Sequence, residues 1–456
     1  FRSENIPLFE CPQHNFEEMY YYRWWSLRKH IKETPVGYGM TEFLVQRSYS
    51  DKYNLIACAI GHHIYESRWL RDPKYLDQII HTWYRGNDGG PMKKMDKFSS
   101  WNADAVLARY MVDGDKDYLL DMKKDLETEY QRWERTNRLK NGLYWQGDVQ
   151  DGMEESISGG RRKKYARPTI NSYMYGNAKA LSCIGILSGD EGMAMKYGMR
   201  ADTLKNLVEN ELWNTRHQFF ETMRTDSSAN VREAIGYIPW YFNLPDTTQK
   251  YEIAWKEIMD EKGFSAPYGL TTAERRHPEF RTRGVGKCEW DGAIWPFASA
   301  QTLTAMANFM NNYPQTVLSD SVYFRQMELY VESQYHRGRP YIGEYLDEVT
   351  GYWLKGDQER SRYYNHSTFN DLIITGLIGL RPRLDNTIEV NPLIPADKWD
   401  WFCLDNVLYH GHNLTILWDK NGDRYHCGKG LRIFVDGKEV GQANTLTKIV
   451  CENALK

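Results

Sequence analysis

Residues 181–198 read LSCIGILSGDEGMAMKYG, and this stretch predicts two helices that meet at a short turn. Apolar side chains recur at three- and four-residue spacing on both sides of the turn, which is typical of helices. Asp190 stands just before the second half, where its carboxylate can accept hydrogen bonds from the free N–H groups of a starting helix. The stretch therefore predicts a helical hairpin.

The same junction occurs twice more along the chain. Asp72 lies within IYESRWLRDPKYLDQI (64–79), and Asp115 lies within LARYMVDGDKDYLLDM (107–122). A repeated helix–Asp–helix unit indicates an α-helical array, with an ordinary helical bundle as the alternative. Helical spacing of apolar residues recurs in the following segments: 16–32, 52–70, 73–85, 100–112, 116–136, 171–187, 193–213, 250–261, 294–311, 317–335 and 364–378. This number of helices favours a closed ring of helical hairpins, an (α/α)6 toroid.

The pattern of residue types changes after residue 380, from helical spacing to short β-branched runs. Short β-branched runs, punctuated by NG, DG and GKG turns, follow in NTIEVNPLIP (386–395), NLTILWDKNGDRYHC (413–427) and GLRIFVDGKEV (430–440). Such runs predict strands joined by tight turns. We therefore expect a mainly α protein in which residues 1–384 form the helical domain and residues 385–456 form a small β region packed on it.

Composition excludes several classes of function. The 456 residues carry a formal charge of −3, so no basic excess is available for a nucleic acid. No apolar run approaches the roughly 20 residues of a membrane span. Seven cysteines without a CxxC pair, and the absence of HExxH and of glycine-rich nucleotide motifs, predict neither a metal nor another cofactor. One or two disulfides remain possible, and the odd count leaves at least one thiol free.

Three long segments show little helical spacing and are rich in Gly, Trp and charge: 139–170, 262–293 and 338–363. Loops of this length inside a compact domain are commonly functional. Because they fall between helices, they would gather at one mouth of a toroid. The first contains Asp151 and Glu154 close to Trp145. Either a solvated acidic loop or a calcium site is the alternative to a catalytic role there.

The third of these loops places Glu344 beside Tyr345 in RPYIGEYLDEVTGYWLKGDQER (339–360). A carboxylic acid and a carboxylate that face each other across a cavity can cleave a glycosidic bond, at a separation of ~6.5–9.5 Å for an inverting reaction. The middle loop ends on Trp290 and Asp291. Asp291 is either the N-cap of the next helix or a ligand of sugar hydroxyls beside a Trp platform.

Four motifs, in this order, resemble those of (α/α)6-barrel glycoside hydrolases. They are GFSAPYGLTTAERRHP (263–278), CEWDGAIWPFASAQTL (288–303), GEYLDEVTG (343–351) and YYNHSTFNDLIITGLIGLRPR (363–383). The chain is similar to the clan that holds trehalases, mannosylglycerate hydrolases and processing α-glucosidases (glycoside hydrolase family 63). The resemblance extends over roughly residues 140–395.

This resemblance implies roles for individual residues. Glu344 stands where these families place the general base. DGMEESIS (151–158) resembles their SGMDNSP segment, which carries the general acid, so Glu154 takes the place of an Asp and Asp151 is the second candidate for the acid. The match also implies that Trp290, Asp291 and Trp295 line the sugar-binding subsite.

The usual W-D dipeptide near the N-terminus is replaced by Trp24-Trp25, which points to a sugar other than glucose or mannose. Trp24 is as readily a core residue as a lining residue, and His366 as readily a satisfied polar group as a substrate contact. With these alternatives open, the other expected substrate-contacting residues are Arg23, Trp24, Trp145, Asn171, Tyr345 and His366.

The sequence thus predicts a glycoside hydrolase with a carbohydrate partner, exo-acting and inverting. One alternative is a sugar epimerase or polysaccharide lyase on the same toroid, with His62, His63, His366 or Tyr363 as base. Another is a non-catalytic carbohydrate-binding scaffold. The chain opens at Phe1 rather than Met, so we expect a trimmed chain that is secreted or periplasmic. No feature indicates an oligomeric state.

Overall fold

The computed structural model describes residues 2–455 of the chain and is rich in helices, with a small C-terminal sheet. The long helices are His14–His30, Ile60–Ser67, Lys74–Arg85, Asn102–Asp113, Lys116–Asn137, Pro168–Ser188, Glu191–Leu207, Pro296–Asn312 and Asp320–Ser333. The short α-helices are Arg2–Asn5, Ile238–Tyr241 and Asn370–Leu372. The mainly α prediction is confirmed at this level.

The predicted helix junctions are largely confirmed. Asp115 and Asp190 each accept a hydrogen bond of 2.9 Å from the backbone N–H three residues further on, at the start of their helices. Asp72 lies one residue before the cap position of its helix, and it accepts from the N–H of Lys74 at 3.1 Å. All three carboxylates therefore satisfy N–H groups that a helix start leaves unpaired.

Two predicted helices take other forms. Segment 250–261 contains a 3-10 helix, Glu252–Ile258, where the spacing predicted an α-helix. Apolar spacing over only seven residues does not distinguish the two kinds of helix. In segment 364–378, the chain stays irregular up to Phe369 and then forms Asn370–Leu372 and a π-turn. The carboxylate of Glu66 accepts hydrogen bonds from the N–H groups of residues 369–371, which sets the helix start there.

The other short helical elements are the 3-10 turns Lys52–Asn54, Ala57–Ala59, Ala234–Tyr237 and Glu359–Ser361 and the π-turns Val208–Leu212 and Ile373–Leu377.

Helices contact each other in an order that returns to its starting point. That order is Ile60–Ser67, Asn102–Asp113, Pro168–Ser188, Ile238–Tyr241, Pro296–Asn312, Asn370–Leu372 and again Ile60–Ser67. Asp320–Ser333 contacts Pro296–Asn312 on one side and His14–His30 on the other. The helices Pro168–Ser188 and Pro296–Asn312 are buried along most of their length.

The C-terminal region forms an antiparallel sheet of five strands. Their order is Leu8–Glu10, Trp401–Tyr409, His412–Asp419, Gly430–Val435 and Lys438–Ala443. The N-terminal strand thus belongs to this sheet, although the predicted helical domain began at residue 1; the boundary at 384/385 stays a prediction. Ile388–Val390 pairs separately with Ile449–Cys451.

Five two-stranded hairpins occur between helices. They are Ile31–Thr34 with Gly37–Met40, Trp145–Gln146 with Tyr165–Ala166, Trp213–Asn214 with Phe219–Phe220, Ser265–Ala266 with Gly269–Leu270, and Tyr335–His336 with Arg339–Pro340. Each of the seven cysteines is a free thiol. Among residues 2–455, every helix is too short or too polar to cross a bilayer.

Candidate active site

The predicted acidic loops meet at a cavity of about 320 Å³. Three carboxyl groups line it, from Glu42, Glu154 and Glu344, and the imidazole of His366 joins them. The aromatic residues of its wall are Tyr49, Phe98, Trp295, Phe297 and Tyr364. The cavity therefore combines acids with apolar ring faces, a combination suited to a ligand that is both hydroxylated and partly apolar.

Glu154 reaches the cavity from a tight turn in the first loop. Gly152 has a φ of 73° there, a conformation that glycine adopts without strain. The side chain of Cys58 packs against this glycine. Burial first, and then the nearby carboxylates of Glu344 and Asp148, together raise the pKa of Glu154 to about 7. Near neutral pH, a proton is therefore available on this side chain for transfer.

Glu344 is buried beside two cations. Its Oε2 lies 3.2 Å from Nζ of Lys355 and 3.4 Å from a terminal guanidinium nitrogen of Arg360. These contacts lack hydrogen-bond geometry, and Oε2 has no hydrogen-bond partner among residues 4–455. The cations supply the opposite charge that a buried carboxylate needs, while one oxygen keeps capacity to accept a further hydrogen bond.

Stacked aromatic rings hold this arrangement in place. Trp295 lines the cavity and stacks on Tyr345 behind it, with ring centres 4.6 Å apart, and on Trp290 at 4.4 Å. The ammonium of Lys355 lies 4.8 Å from the ring centre of Tyr345, so this ring also positions the cation that faces Glu344. Trp295 is the predicted stacking residue that the structure places at the cavity.

Glu42 was not predicted from the sequence. Its Oε1 accepts a hydrogen bond of 2.7 Å from the hydroxyl of Tyr364, and the thiol of Cys58 lies 3.3 Å from its Oε2. Burial raises the pKa of Glu42 to about 8, and the charges of Glu344 and Glu154 add to the shift. Glu42 lies in an irregular segment without periodicity, and its partner Tyr364 is 322 residues away, so no local pattern signals the pair.

His366, a predicted substrate contact, lines the cavity next to this pair. Its Nδ1 lies 3.8 Å from Oε1 of Glu42, and its ring centre lies 3.8 Å from that of Tyr364. Burial lowers the pKa of His366 well below its usual range, so the ring is neutral. Its Nε2 is buried and has no partner among the described side chains and backbone of residues 4–455.

Asp151, the second candidate for the acid, lies outside the cavity lining. Its two oxygens accept hydrogen bonds from Ser99 at 2.7 Å, from Arg167 at 2.5 Å and from Thr169. The carboxylate is fully buried in this network. Asp151 therefore anchors the loop that carries Glu154, and its own oxygens are already engaged.

The structure also places Arg23 and Trp24, two predicted substrate contacts, outside the cavity lining. Arg23 is buried and donates to the side chain of Gln334 and to the carbonyl of Ser367, both at 2.8 Å. Trp24 is completely buried in the main core. Both positions on helix His14–His30 therefore serve packing between helices.

Three more predicted contacts have structural partners instead. Asn171 bonds to the backbone N–H and C=O of Tyr144, and Asp291 accepts from the N–H groups of residues 283 and 284. Trp145 is partly exposed and stacks with the ammonium of Lys164 at 4.3 Å. These side chains satisfy loop backbone or lie at the surface, outside the cavity lining.

Comparison with known proteins identifies the family of this chain. Residues 52–367 match the profile described as "Mannosylglycerate hydrolase MGH1-like glycoside hydrolase domain". The chain belongs to this family. It is therefore a glycosidase domain, as predicted from the motifs. Residues 380–441 match a second profile, described as "Glycosyl hydrolase family 65, C-terminal domain".

Solved structures give the same fold. A chain named "Sialidase" is 95% identical, superposes with a TM-score of 0.99 and covers 99% of this glycosidase domain, which spans only 42% of that chain. The GH63 mannosylglycerate hydrolase from Thermus thermophilus, in complex with Tris, is 12% identical with a TM-score of 0.59, over 76% of this chain and 98% of its own. The GH78 family rhamnosidase of Bacillus sp. GL1 is 10% identical with a TM-score of 0.62, over 94% of this chain and 41% of its own. At these low identities, the last two show the fold alone.

The described residues contain no group of three or more His, Cys, Asp or Glu side chains arranged to hold a metal ion.

Two cysteine thiols, of Cys58 and Cys288, line the cavity. Burial raises the pKa of Cys288 to about 12 and raises that of Cys58 well above its usual range, so both remain protonated at neutral pH. Neither is in the thiolate form that nucleophilic chemistry requires.

Proposed function

We propose that this domain hydrolyses a glycosidic bond with inversion, with Glu154 as general acid and Glu344 as general base. The supporting observation is that two carboxyl groups from separate loops line one cavity in different electrostatic environments. Burial raises the pKa of Glu154 to about 7, whereas Lys355 and Arg360 lie next to Glu344. Such a difference between two carboxyl environments is what assigns acid and base in glycosidases.

The two groups divide the reaction between them. Glu154 donates its proton to the glycosidic oxygen as the bond to the anomeric carbon breaks. Glu344 accepts a proton from a water molecule, whose oxygen forms the new bond to the same carbon from the opposite face. At the end Glu154 is ionised and Glu344 is protonated, and proton exchange with solvent restores both. Trp295 provides an apolar ring face in the same cavity.

We also propose that the helices form an (α/α)6 toroid and that the enzyme removes terminal sugars. The cyclic order of helix contacts supports the toroid. A cavity of about 320 Å³ supports exo action, since it matches the lower end of small-molecule pockets, ~300–1,000 Å³, and fits a chain end better than an extended chain. A secreted or periplasmic location stays a prediction.

A second candidate substrate class is sialosides. The observation that favours it is the 95% identity to the chain named "Sialidase", although this domain spans only 42% of that chain. The name can therefore refer to a part of that protein outside the matched region. Sialosides belong in any substrate screen for this reason.

A screen of aryl glycosides of neutral sugars and of sialic acid, followed by oligosaccharides, tests the proposal. We expect turnover of at least one glycoside, and proton NMR of the first-formed sugar should show the anomer opposite to that of the substrate. A first-formed anomer with retained configuration would refute the inverting assignment. Turnover that survives Glu344→Gln at near-full rate would refute the assignment of the base.

A further inference from the structure

One wall of the cavity contains polar groups that the acid–base chemistry does not use. Glu42, Tyr364 and His366 lie together there, and all three are at least nine-tenths buried. The Tyr364 hydroxyl donates to Oε1 of Glu42, and Nδ1 of His366 lies 3.8 Å from the same oxygen. We call these three residues the polar wall.

Hydrogen-bonding capacity is left over in this wall. Nε2 of His366 is buried without a hydrogen-bond partner among residues 4–455, and Oε2 of Glu42 accepts from the thiol of Cys58, a weak donor, at 3.3 Å. A buried polar atom without a partner destabilises the empty site, so a site that retains one gains when a ligand pairs with it. Both atoms belong to residues that line the cavity containing Glu154 and Glu344.

We propose that the polar wall is the sugar-recognition element of this site, in which Glu42 binds one hydroxyl group of the sugar to be released and His366 Nε2 binds another. The inference rests on the proposed function, because the sugar in question is the one whose bond Glu154 and Glu344 cleave. The proposal gives a specificity-determining role to Glu42, which lies outside the four sequence motifs.

The protonation of the wall suits hydroxyl groups. The titratable groups around Glu42 are Tyr49, Cys58, Glu154, Glu344, Tyr364 and His366. With its pKa raised to about 8, Glu42 is a neutral acid at pH 6 and can donate one hydrogen bond and accept others. His366 is neutral as well, so each residue offers both a donor and an acceptor, as a hydroxyl group does. Above pH 8, Glu42 becomes a carboxylate and loses its donor.

The test measures binding of free sugars, without turnover. Saturation-transfer NMR against a panel of neutral pentoses, hexoses and deoxyhexoses should show binding of at least one sugar to the wild type at pH 6. Glu42→Ala should weaken that binding at least tenfold, since a buried hydrogen bond is lost. Glu42→Gln, which resembles the neutral acid, should stay within about threefold, because its amide keeps a donor and an acceptor.

The pH dependence separates recognition from a merely structural role. From pH 6 to pH 9, the wild type should lose roughly tenfold more affinity than Glu42→Gln, because Glu42 ionises only in the wild type whereas Glu154 ionises in both. Asp104→Asn is the matched control. Burial raises the pKa of Asp104 to about 6 as well, but Asp104 lines a different cavity. This control should bind sugar like the wild type at both pH values.

Three outcomes would overturn the proposal: no panel sugar binds, a folded Glu42→Ala binds as well as the wild type, or Glu42→Gln retains the wild-type pH dependence. If Glu42→Ala fails to fold, the pH comparison with Glu42→Gln still decides. Binding that follows the prediction, in a protein that hydrolyses no glycoside, would refute the acid–base assignment alone. The two proposals therefore fail in different experiments.

Discussion

Two of the cavities among the described residues have similar volumes but differently arranged charges. The cavity with Glu154 and Glu344 measures about 320 Å³, and a second one, lined by Asp371 and Glu389, measures about 300 Å³. In the second cavity, two acids, Asp371 and Glu389, are tied to cations in hydrogen-bonded pairs, and the third, Asp104, accepts a hydrogen bond of 2.6 Å from the hydroxyl of Tyr65. Asp371 lies 2.8 Å from Arg68 and also accepts from Trp69 at 2.7 Å.

Glu389 is held in the same way, at 2.8 Å from Arg383 and 2.6 Å from Lys448. In the first cavity, by contrast, the acids retain protons or free lone pairs. This difference teaches that volume alone does not identify a site. What distinguishes the first cavity is carboxyl groups that are buried without complete satisfaction, an arrangement that costs stability and is expected where chemistry occurs.

Removing the carboxylate of Glu344 should have the largest effect. Glu344→Gln should lower kcat by roughly 10³–10⁴-fold, because Glu344 is the proposed acceptor of the proton of the attacking water. Sugar binding should remain measurable. Steady-state kinetics on the best aryl glycoside checks this, with the exposed neighbour Glu359→Gln as the control that should keep wild-type rates.

Removing the acid should have a smaller effect, and one that depends on the leaving group. Glu154→Gln should lower kcat by roughly 10²-fold for alkyl glycosides, and far less for dinitrophenyl glycosides, whose leaving groups need no proton. Since Glu154 must be protonated to act, wild-type kcat should fall as pH rises through about 7, and the variant should lack this decline. Glu155→Gln, whose side chain pairs with Arg161, is the matched control.

Asp151→Asn tests which of the two residues, Asp151 or Glu154, is the general acid. If Asp151 only anchors the loop through Ser99 and Arg167, this variant should lower stability but keep the alkaline decline of kcat. Loss of that decline in Asp151→Asn, with Glu154→Gln behaving like the wild type, would exchange the two assignments.

In the second cavity, substitution should affect stability rather than turnover. Asp371→Asn leaves the buried Arg68 without its charge partner, so the free energy of unfolding should fall by ~3 kcal/mol. The kcat of the folded fraction should stay close to the wild type. Thermal unfolding and kinetics on the same sample check both, and a selective loss of kcat would place catalytic function in the second cavity.

The smallest expected effect concerns pH and stability. The pKa of Glu42 rises on folding from 4.5 to about 8, so its contribution is fully present below pH 4.5 and is lost as pH rises through 8. The wild type should therefore lose stability from pH 5 to pH 9, and Glu42→Gln should lose less over the same range, because it lacks this titration. Urea unfolding at the two pH values measures it. Glu154 contributes a similar but smaller loss in both proteins.

The sequence predicted most helices, two helix caps and the loops that meet at the cavity, because these follow from local spacing and motif order. Glu154, Glu344, Trp295 and His366 were among the predicted residues and line the cavity. Glu42 could not be predicted from local pattern, because its environment depends on residues more than 300 positions away.

The predicted residues that lie outside the cavity lining differ in how their polar groups are paired. Arg23 and Asn171 have the polar groups of sugar-binding side chains, yet these groups satisfy nearby backbone and side-chain partners. Only the folded structure shows which polar atoms remain free after such pairing. The distinction between Asp151 and Glu154, three residues apart, has the same origin.

The most direct test of the account is a crystal structure of Glu344→Gln soaked with the glycoside that the wild type hydrolyses best. We expect the terminal sugar in the first cavity, with the glycosidic oxygen within hydrogen-bond distance of Glu154. We also expect a water molecule between the anomeric carbon and residue 344, and a separation of ~6.5–9.5 Å between the two side-chain carbonyl carbons. A sugar bound in the second cavity, or one in the first cavity that contacts neither Glu154 nor residue 344, would contradict the account.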